Sequence, residues 1–261
     1  MDLNLTKKNA LVCGGSRGIG LAAAAELAEL GANITLVARS GDKLAELVHS
    51  LHRDSSQNHD FLVADFSNPV ELSKRVKALL TKKPIHILLN NTGGPKGGPI
   101  AEAQVEEFTR AFNNHLVCSH ILTQIISPVM IKEGYGRIIN VISTSVKEPI
   151  PGLGVSNTIR GAVASWAKTL AGELGRYGIT VNNVLPGYTQ TSRLESIIQA
   201  RVKKTGKSEQ EVIDEMLAKV PMRRFADPSE TGSVIAFLAS PAGSYVNGTN
   251  IPVDGGRTKS L

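Results

Sequence analysis

Seven residues near the start of the chain, Gly14-Gly15-Ser16-Arg17-Gly18-Ile19-Gly20, stand between a short apolar run and an alanine-rich stretch. The run is Ala10-Leu11-Val12-Cys13, with strand character; the stretch from Leu21 to Leu30 is a strong helix former that Gly31 can stop. Glycines between the two let the backbone turn tightly and be approached closely, and the helix that starts there offers free N–H groups and the positive end of its dipole. Any tight helix entry also uses glycine. The position of this cluster at the first strand-to-helix junction is what points to a pyrophosphate.

The same alternation continues along the chain. Ile34 to Val37, Phe61 to Val63, Ile85 to Leu89, Ile138 to Ile142 and Ile179 to Leu185 are short apolar runs separated by helical patterns. Repeated strand–helix units predict a parallel sheet, and nearly continuous apolar strands predict helices on both of its faces. The expected architecture is a doubly wound, Rossmann-type α/β fold in three α/β/α layers, a single domain over residues 1–261, with its ligand crevice at the carboxyl ends of the strands. Asn68-Pro69 reads as an N-cap followed by proline at the first helical position. Residues 188–220 are polar and weakly patterned, and are expected to cover the substrate. Cys13 falls in a strand and Cys118 in a helix, which suits small core residues better than a disulfide or metal ligands.

Beyond these patterns, the chain resembles the short-chain dehydrogenase/reductase family. Gly14, Gly18 and Gly20 have the spacing of its glycine motif; Asn90-Asn91-Thr92-Gly93, Asn182-Asn183-Val184-Leu185-Pro186-Gly187 and Val253-Asp254-Gly255-Gly256 follow in the family's order. The resemblance spans almost the whole chain and is strongest to 3-oxoacyl-carrier-protein reductases. It implies that Gly14, Ser16, Arg17, Gly18, Ile19 and Gly20 surround the pyrophosphate and adenosine ribose. It further implies that Asp65 and Phe66 flank adenine, that Asn91 and Gly93 line a ribose, and that Pro186, Gly187 and Thr189 approach the nicotinamide. The two asparagines would equally serve as turn caps.

Cofactor choice follows from charge. A carboxylate after the second strand holds the ribose 2′-hydroxyl of NAD and repels a 2′-phosphate. Here the segment reads Val37-Ala38-Arg39-Ser40, without a carboxylate, and Arg39 and Arg17 can clamp a phosphate. NADP(H) is therefore expected, against the plainer view of two solvated arginines.

At the catalytic positions the pattern breaks. The family's proton donor is a tyrosine four residues before a lysine that lowers its pKa, with a serine upstream and an asparagine on the preceding helix. Gly136 to Ser143 matches the serine-bearing segment and makes Ser143 the equivalent; counting onward puts Ser156 at the tyrosine and Arg160 at the lysine. His115 falls at the asparagine, one residue after Asn114. A serine hydroxyl is too weak an acid to replace a phenol, and Arg160 stays protonated. Arg160 can bind ribose hydroxyls and polarise an oxygen. The reading is a rebuilt site in which Ser143 and Ser156 hold a carbonyl oxygen and another group supplies the proton. His115, as a group titrating near pH 6.5, and Tyr188 are the candidates, each with a structural alternative.

The rival reading is an NADP(H)-binding protein without turnover, a sensor or the support of an active homologue. A net charge of +6 and a pI near 9.3 would suit nucleic acid, but the 29 Lys and Arg are scattered, with a noticeable cluster only at Lys203, Lys204 and Lys207, and aromatic residues are 4% of the chain, too few for base stacking. An acidic carrier protein bearing the carbonyl or alcohol substrate fits the charge as well. No apolar run is long enough to span a membrane and the first residues lack a secretory pattern, so a cytoplasmic location is expected. The resemblance of Pro221 to Gly256 to the family's last helix and strand implies a homotetramer or homodimer.

Overall fold

The computed structural model describes residues 1–260. Strands β1 (Asn9–Cys13), β2 (Asn33–Ala38), β3 (Asp60–Val63), β4 (Ile87–Asn90), β5 (Gly136–Val141), β6 (Ile179–Pro186) and β7 (Asn250–Val253) pair in the order 3-2-1-4-5-6-7. Every pairing is parallel. The apolar runs expected to be strands are strands, with ends shifted by one or two residues in most cases.

Strand alternation explains why continuous apolar runs are needed. Ala10, Val12, Leu36, Ile87 and Leu89 belong to one apolar cluster, whereas Leu11, Cys13, Val37 and Leu88 belong to another. Neighbouring residues thus serve opposite faces, and each face is roofed by helices. The first cluster packs under α1 (Gly18–Glu29) and α9 (Pro228–Ala239). These two helices approach closely because their contact is built from small residues: a Cβ at Gly232 would lie 3.1 Å from the Ala22 carbonyl. The second cluster packs under α3 (Pro69–Leu80), α5 (Cys118–Glu133) and α6 (Gly154–Leu174). The Asn68 side chain accepts from Glu71 N at 3.1 Å with Pro69 at the start of α3, the cap the sequence predicts. Cys13 and Cys118 are buried and free; burial pushes both thiols up, that of Cys118 to about 11.

Half of the sheet carries a polar seam. Asn90, Asn140, Asn183 and Asn250 are register neighbours on β4 to β7. Each side-chain amide donates to the next across the sheet: Asn90 to Asn140 at 2.9 Å, Asn140 to Asn183 at 2.9 Å, and Asn183 to Asn250 at 2.8 Å. The seam pairs these buried or half-buried amides without leaving the sheet, as interior polar groups require, and leaves Asn90 Oδ1 as its one buried oxygen without a partner among the described residues.

The remaining helices are α2 (Gly41–Ser50), α4 (Val105–Phe112), α7 (Ser192–Thr205) and α8 (Glu209–Leu217). One π-helical turn, Asn113–Val117, joins α4 to α5. The weakly patterned segment after β6 is largely helical: α7 and α8 share a small apolar cluster of Leu194, Ile198, Val212 and Met216. No helix among the described residues is long and apolar enough to cross a membrane.

Candidate active site

Strand order reverses between β1 and β4, so their carboxyl ends diverge and open a crevice. On the β1 side the glycine turn is shaped by steric need. Gly14 and Gly18 have φ of +61° and +54°, the left-handed region that glycine enters without cost. A Cβ at Gly14 would lie 2.5 Å from Asn91 O, and one at Gly20 would lie 2.3 Å from Gly14 O. The turn is thus packed against the end of β4, and Asn91 Nδ2 donates to Gly14 O at 3.3 Å. The Asn91 amide, expected at a ribose, therefore also holds the glycine turn in place. Ile19 packs on the first core cluster, leaving Ser16 half-buried and Arg17 exposed at the mouth.

Beyond Asn91 the floor opens. A Cβ at Gly93 would meet nothing within 4 Å. Tight packing under the turn and free space beside it are what a dinucleotide needs, and the residues expected to meet one follow the carboxyl ends of the strands. Arg39 is exposed at the end of β2 and, like Arg17, is in none of the ion pairs of the described residues. Asp65 accepts from Ser67 N at 2.9 Å; that bond, with the Arg39 charge as a smaller influence, holds its carboxyl below the usual range. Phe66 is half-buried on the second core cluster, beside Asp65. Across the crevice, a Cβ at Gly187 would strike Asp254 at 2.7 Å, and Gly187 N donates to Val253 O, which fixes Pro186 and Gly187 against β7. Thr189 is buried, and the Thr191 side chain reaches over to the place a Gly18 Cβ would take, 3.0 Å away.

The expected catalytic positions converge at the end of β5. Ser143 follows that strand after Ile142, and its Oγ accepts from Ser145 N at 3.1 Å. Ser156 lies in the first turn of α6, half-buried. Arg160, one turn further on, is buried, and its Nη1 donates to Val141 O at 2.8 Å, tying α6 to the end of β5. The loop after β4 braces this corner: Gly98 N donates to Gly152 O, Gly154 N donates to Gly98 O, and Gly154 leaves room for Ile100, which a Cβ would meet at 2.5 Å.

His115 sits in the π-helical turn, a distortion frequent at functional sites, and is 5% exposed. Its Nδ1 lies 2.6 Å from Thr92 Oγ1, so the π turn delivers the ring to the segment after β4. Burial, reinforced by the Arg160 charge, pushes the imidazole down to about 2. The expectation of a group titrating near pH 6.5 is thereby corrected: His115 is neutral throughout the physiological range. Tyr188 also departs from the idea of a free acid pointing at substrate. Its ring packs edge-on to Phe225, with centroids 5.9 Å apart, and the Arg257 guanidinium stacks 4.5 Å from its centre. Arg257 Nη1 in turn donates to Thr144 Oγ1, next to Ser143.

Three residues at the site have no role in the sequence reading: Thr92, Thr191 and Arg193. Arg193 projects from the start of α7 and its Nη2 donates to Pro95 O at 3.0 Å, spanning the crevice. The i, i+4 stripe Leu194, Ile198, Val202 identifies α7, and Thr191, which accepts from Leu194 N, is its N-cap. Those two signals together would place Arg193 at the strand ends.

A parallel sheet with its strand order reversed beside a glycine-lined helix entry defines the class of Rossmann-type dinucleotide-binding domains. Within that class, a family model described as enoyl-(acyl carrier protein) reductase matches residues 14–258, and the chain belongs to the short-chain dehydrogenase/reductase family. It is 34% identical over 259 residues to the oxidoreductase UcpA of Escherichia coli (strain K12), covering 97% of this chain and 95% of that one. It is 30% identical over 259 residues to the gluconate 5-dehydrogenase of Gluconobacter oxydans (strain 621H), covering 99% and 97%. Among solved structures, the L-sorbose reductase from Gluconobacter frateurii complexed with NADPH and L-sorbose superposes with a TM-score of 0.93 at 30% identity, over the full length of both chains.

Proposed function

We propose that the protein is an NADP(H)-dependent oxidoreductase that interconverts a carbonyl and an alcohol on a small molecule, free or held by an acyl carrier. The observation that carries this reading is the crevice itself, with a glycine turn packed tight on one side and open space at Gly93 on the other. The NADPH present in the sorbose reductase structure supports the cofactor, and so do Arg17 and Arg39, exposed and outside the ion pairs of the described residues. When bound, NADP(H) supplies or accepts the hydride.

The residues of this chain would then bind and orient. Ser143 and Ser156 donate hydroxyl hydrogens to the substrate oxygen, while Arg160 adds positive charge beside it, where oxyanion character develops. The proton that completes the alcohol would come from solvent water and pass through neutral His115, one ring nitrogen taking it up as the other releases its own, with Thr92 as its neighbour. This differs from the usual tyrosine–lysine arrangement, since Ser156 and Arg160 occupy those places and neither acts as the acid.

Titration of NADPH and NADH by cofactor fluorescence, followed by NADPH absorbance with a panel of carbonyl compounds, tests the proposal. Preferential NADPH binding with turnover of a carbonyl is expected. NADPH binding without turnover anywhere in the panel would favour the reading as a binding subunit, and absence of binding would refute both.

A further inference from the structure

A buried charge is normally paired, and Arg160 is not. It is 8% exposed, its one hydrogen-bond acceptor is the Val141 carbonyl, and no carboxylate among the described residues forms an ion pair with it. The charge that acts on it, that of Arg193, is of the same sign. Burial first, and then Arg193, lower its pKa to about 10, which still leaves it cationic at neutrality. Arg193 likewise has no acidic partner, and it reaches across the crevice to the Pro95 carbonyl. The two side chains meet beside Gly94, whose ideal Cβ position is 3.8 Å from Arg193 Nη2 and 4.0 Å from Arg160 Nη2.

Two guanidinium groups that both border the position beside Gly94, neither with an acidic partner among the described residues and one of them buried, make a site that an anion completes. The cofactor's pyrophosphate has its own place at the α1 N-terminus, on the β1 side of the switch point. The arginine pair lies past β4, at the corner that holds Ser143 and Ser156, which is where the reacting end of a substrate belongs. A carboxylate, planar and able to accept from two forks, matches this position.

We propose that the substrate carries a carboxylate beside its reacting carbonyl, that is, a small oxo acid or the corresponding hydroxy acid, and that Arg193 with Arg160 binds the carboxylate. This rests on the oxidoreductase reading above. With the carboxylate on the arginines, the carbonyl is directed toward the serine hydroxyls, and Arg193, on the covering helix, draws α7 down over the bound acid.

The test uses the full chain with NADPH and compares 2-oxobutyrate and 3-oxobutyrate with their methyl esters and with a phosphorylated ketone, dihydroxyacetone phosphate. Affinity is read by quenching of bound NADPH fluorescence and turnover by absorbance. The acids should be preferred to their esters by about 10-fold to 100-fold, the worth of one charge-assisted bidentate contact. Arg193→Gln, at an exposed position, should erase that preference, and Arg193→Lys should restore part of it. Equal handling of acids and esters, a preference that survives Arg193→Gln, a phosphorylated ketone outranking both acids, or a loss of NADPH affinity in Arg193→Gln would each overturn the proposal. If wild type fails to bind NADPH, the oxidoreductase reading falls. Calorimetry of 2-oxobutyrate on the cofactor-free chain, with and without Arg193→Gln, then still reports on the arginine pair.

Discussion

Replacing Gly14 and Gly93 singly by alanine separates the two halves of the crevice. At Gly14 the backbone is left-handed, φ +61°, and the new methyl would lie 2.5 Å from Asn91 O and 2.8 Å from Asn91 Nδ2. The dihedral costs about 1–2 kcal/mol and the overpacking about 1–3 kcal/mol, so Gly14→Ala should lose roughly 2–5 kcal/mol of stability. Gly93 has neither problem: its φ is not positive and its methyl would point into open space. Gly93→Ala should therefore unfold at the wild-type urea concentration, yet weaken NADPH binding by about 10-fold to 100-fold, because the methyl takes up room that the dinucleotide needs. Urea denaturation followed by circular dichroism gives the first quantity and NADPH fluorescence titration the second. The decisive result is the Gly93→Ala titration: wild-type affinity there would mean that the open floor is not the cofactor site. Unchanged stability of Gly14→Ala would refute the steric account of the turn.

Three further outcomes are expected. Arg39→Ala should weaken NADPH by about 10-fold to 100-fold and NADH by far less, since only the former offers a phosphate for a charge-assisted bond; equal losses in a parallel titration would remove Arg39 from the 2′-phosphate site. His115 is neutral when folded, but takes up a proton when unfolded below a pKa of about 6.5. Stability should thus fall by about 1.4 kcal/mol per pH unit as pH drops below 6.5 toward its folded value, a slope that His115→Asn should lose when urea midpoints are compared from pH 7 to 5. Asn140→Ala strips Asn90 Nδ2 of its acceptor and Asn183 Oδ1 of its donor. Two buried orphans at about 1–3 kcal/mol each predict a loss of roughly 2–6 kcal/mol by urea denaturation.

The sheet was readable because its strands are buried on both faces, so their apolar runs are continuous and punctuated by glycine or an N-cap such as Asn68. The glycine turn was readable for the same local reason. What escaped depends on contacts distant in sequence. The ionisation of His115 is set by its burial and by Arg160, 45 positions on, and nothing in the pattern around Phe112 signals a π turn. Tyr188 follows Pro186-Gly187 like a group presented to substrate, but Phe225 and Arg257 claim its ring. Helices α7 and α8 were hidden because only a narrow apolar stripe on each is buried while charged residues fill the rest, and with them went Arg193.

The asparagine seam also has a bearing on when the domain becomes complete during synthesis. Its amides donate in one direction, from β4 toward β7, and Asn183 finds its acceptor only in Asn250. A nascent chain that has made β1 to β6 can already bury its apolar faces, but it leaves one interior donor without a partner until residue 250 has cleared the ribosome. Docking of β7 closes the seam, and β7 is also the strand that fixes Gly187 at the crevice. The polar interior and the ligand site thus mature in the same event, so a stalled or truncated chain has a reason to stay loose where a ligand would otherwise bind.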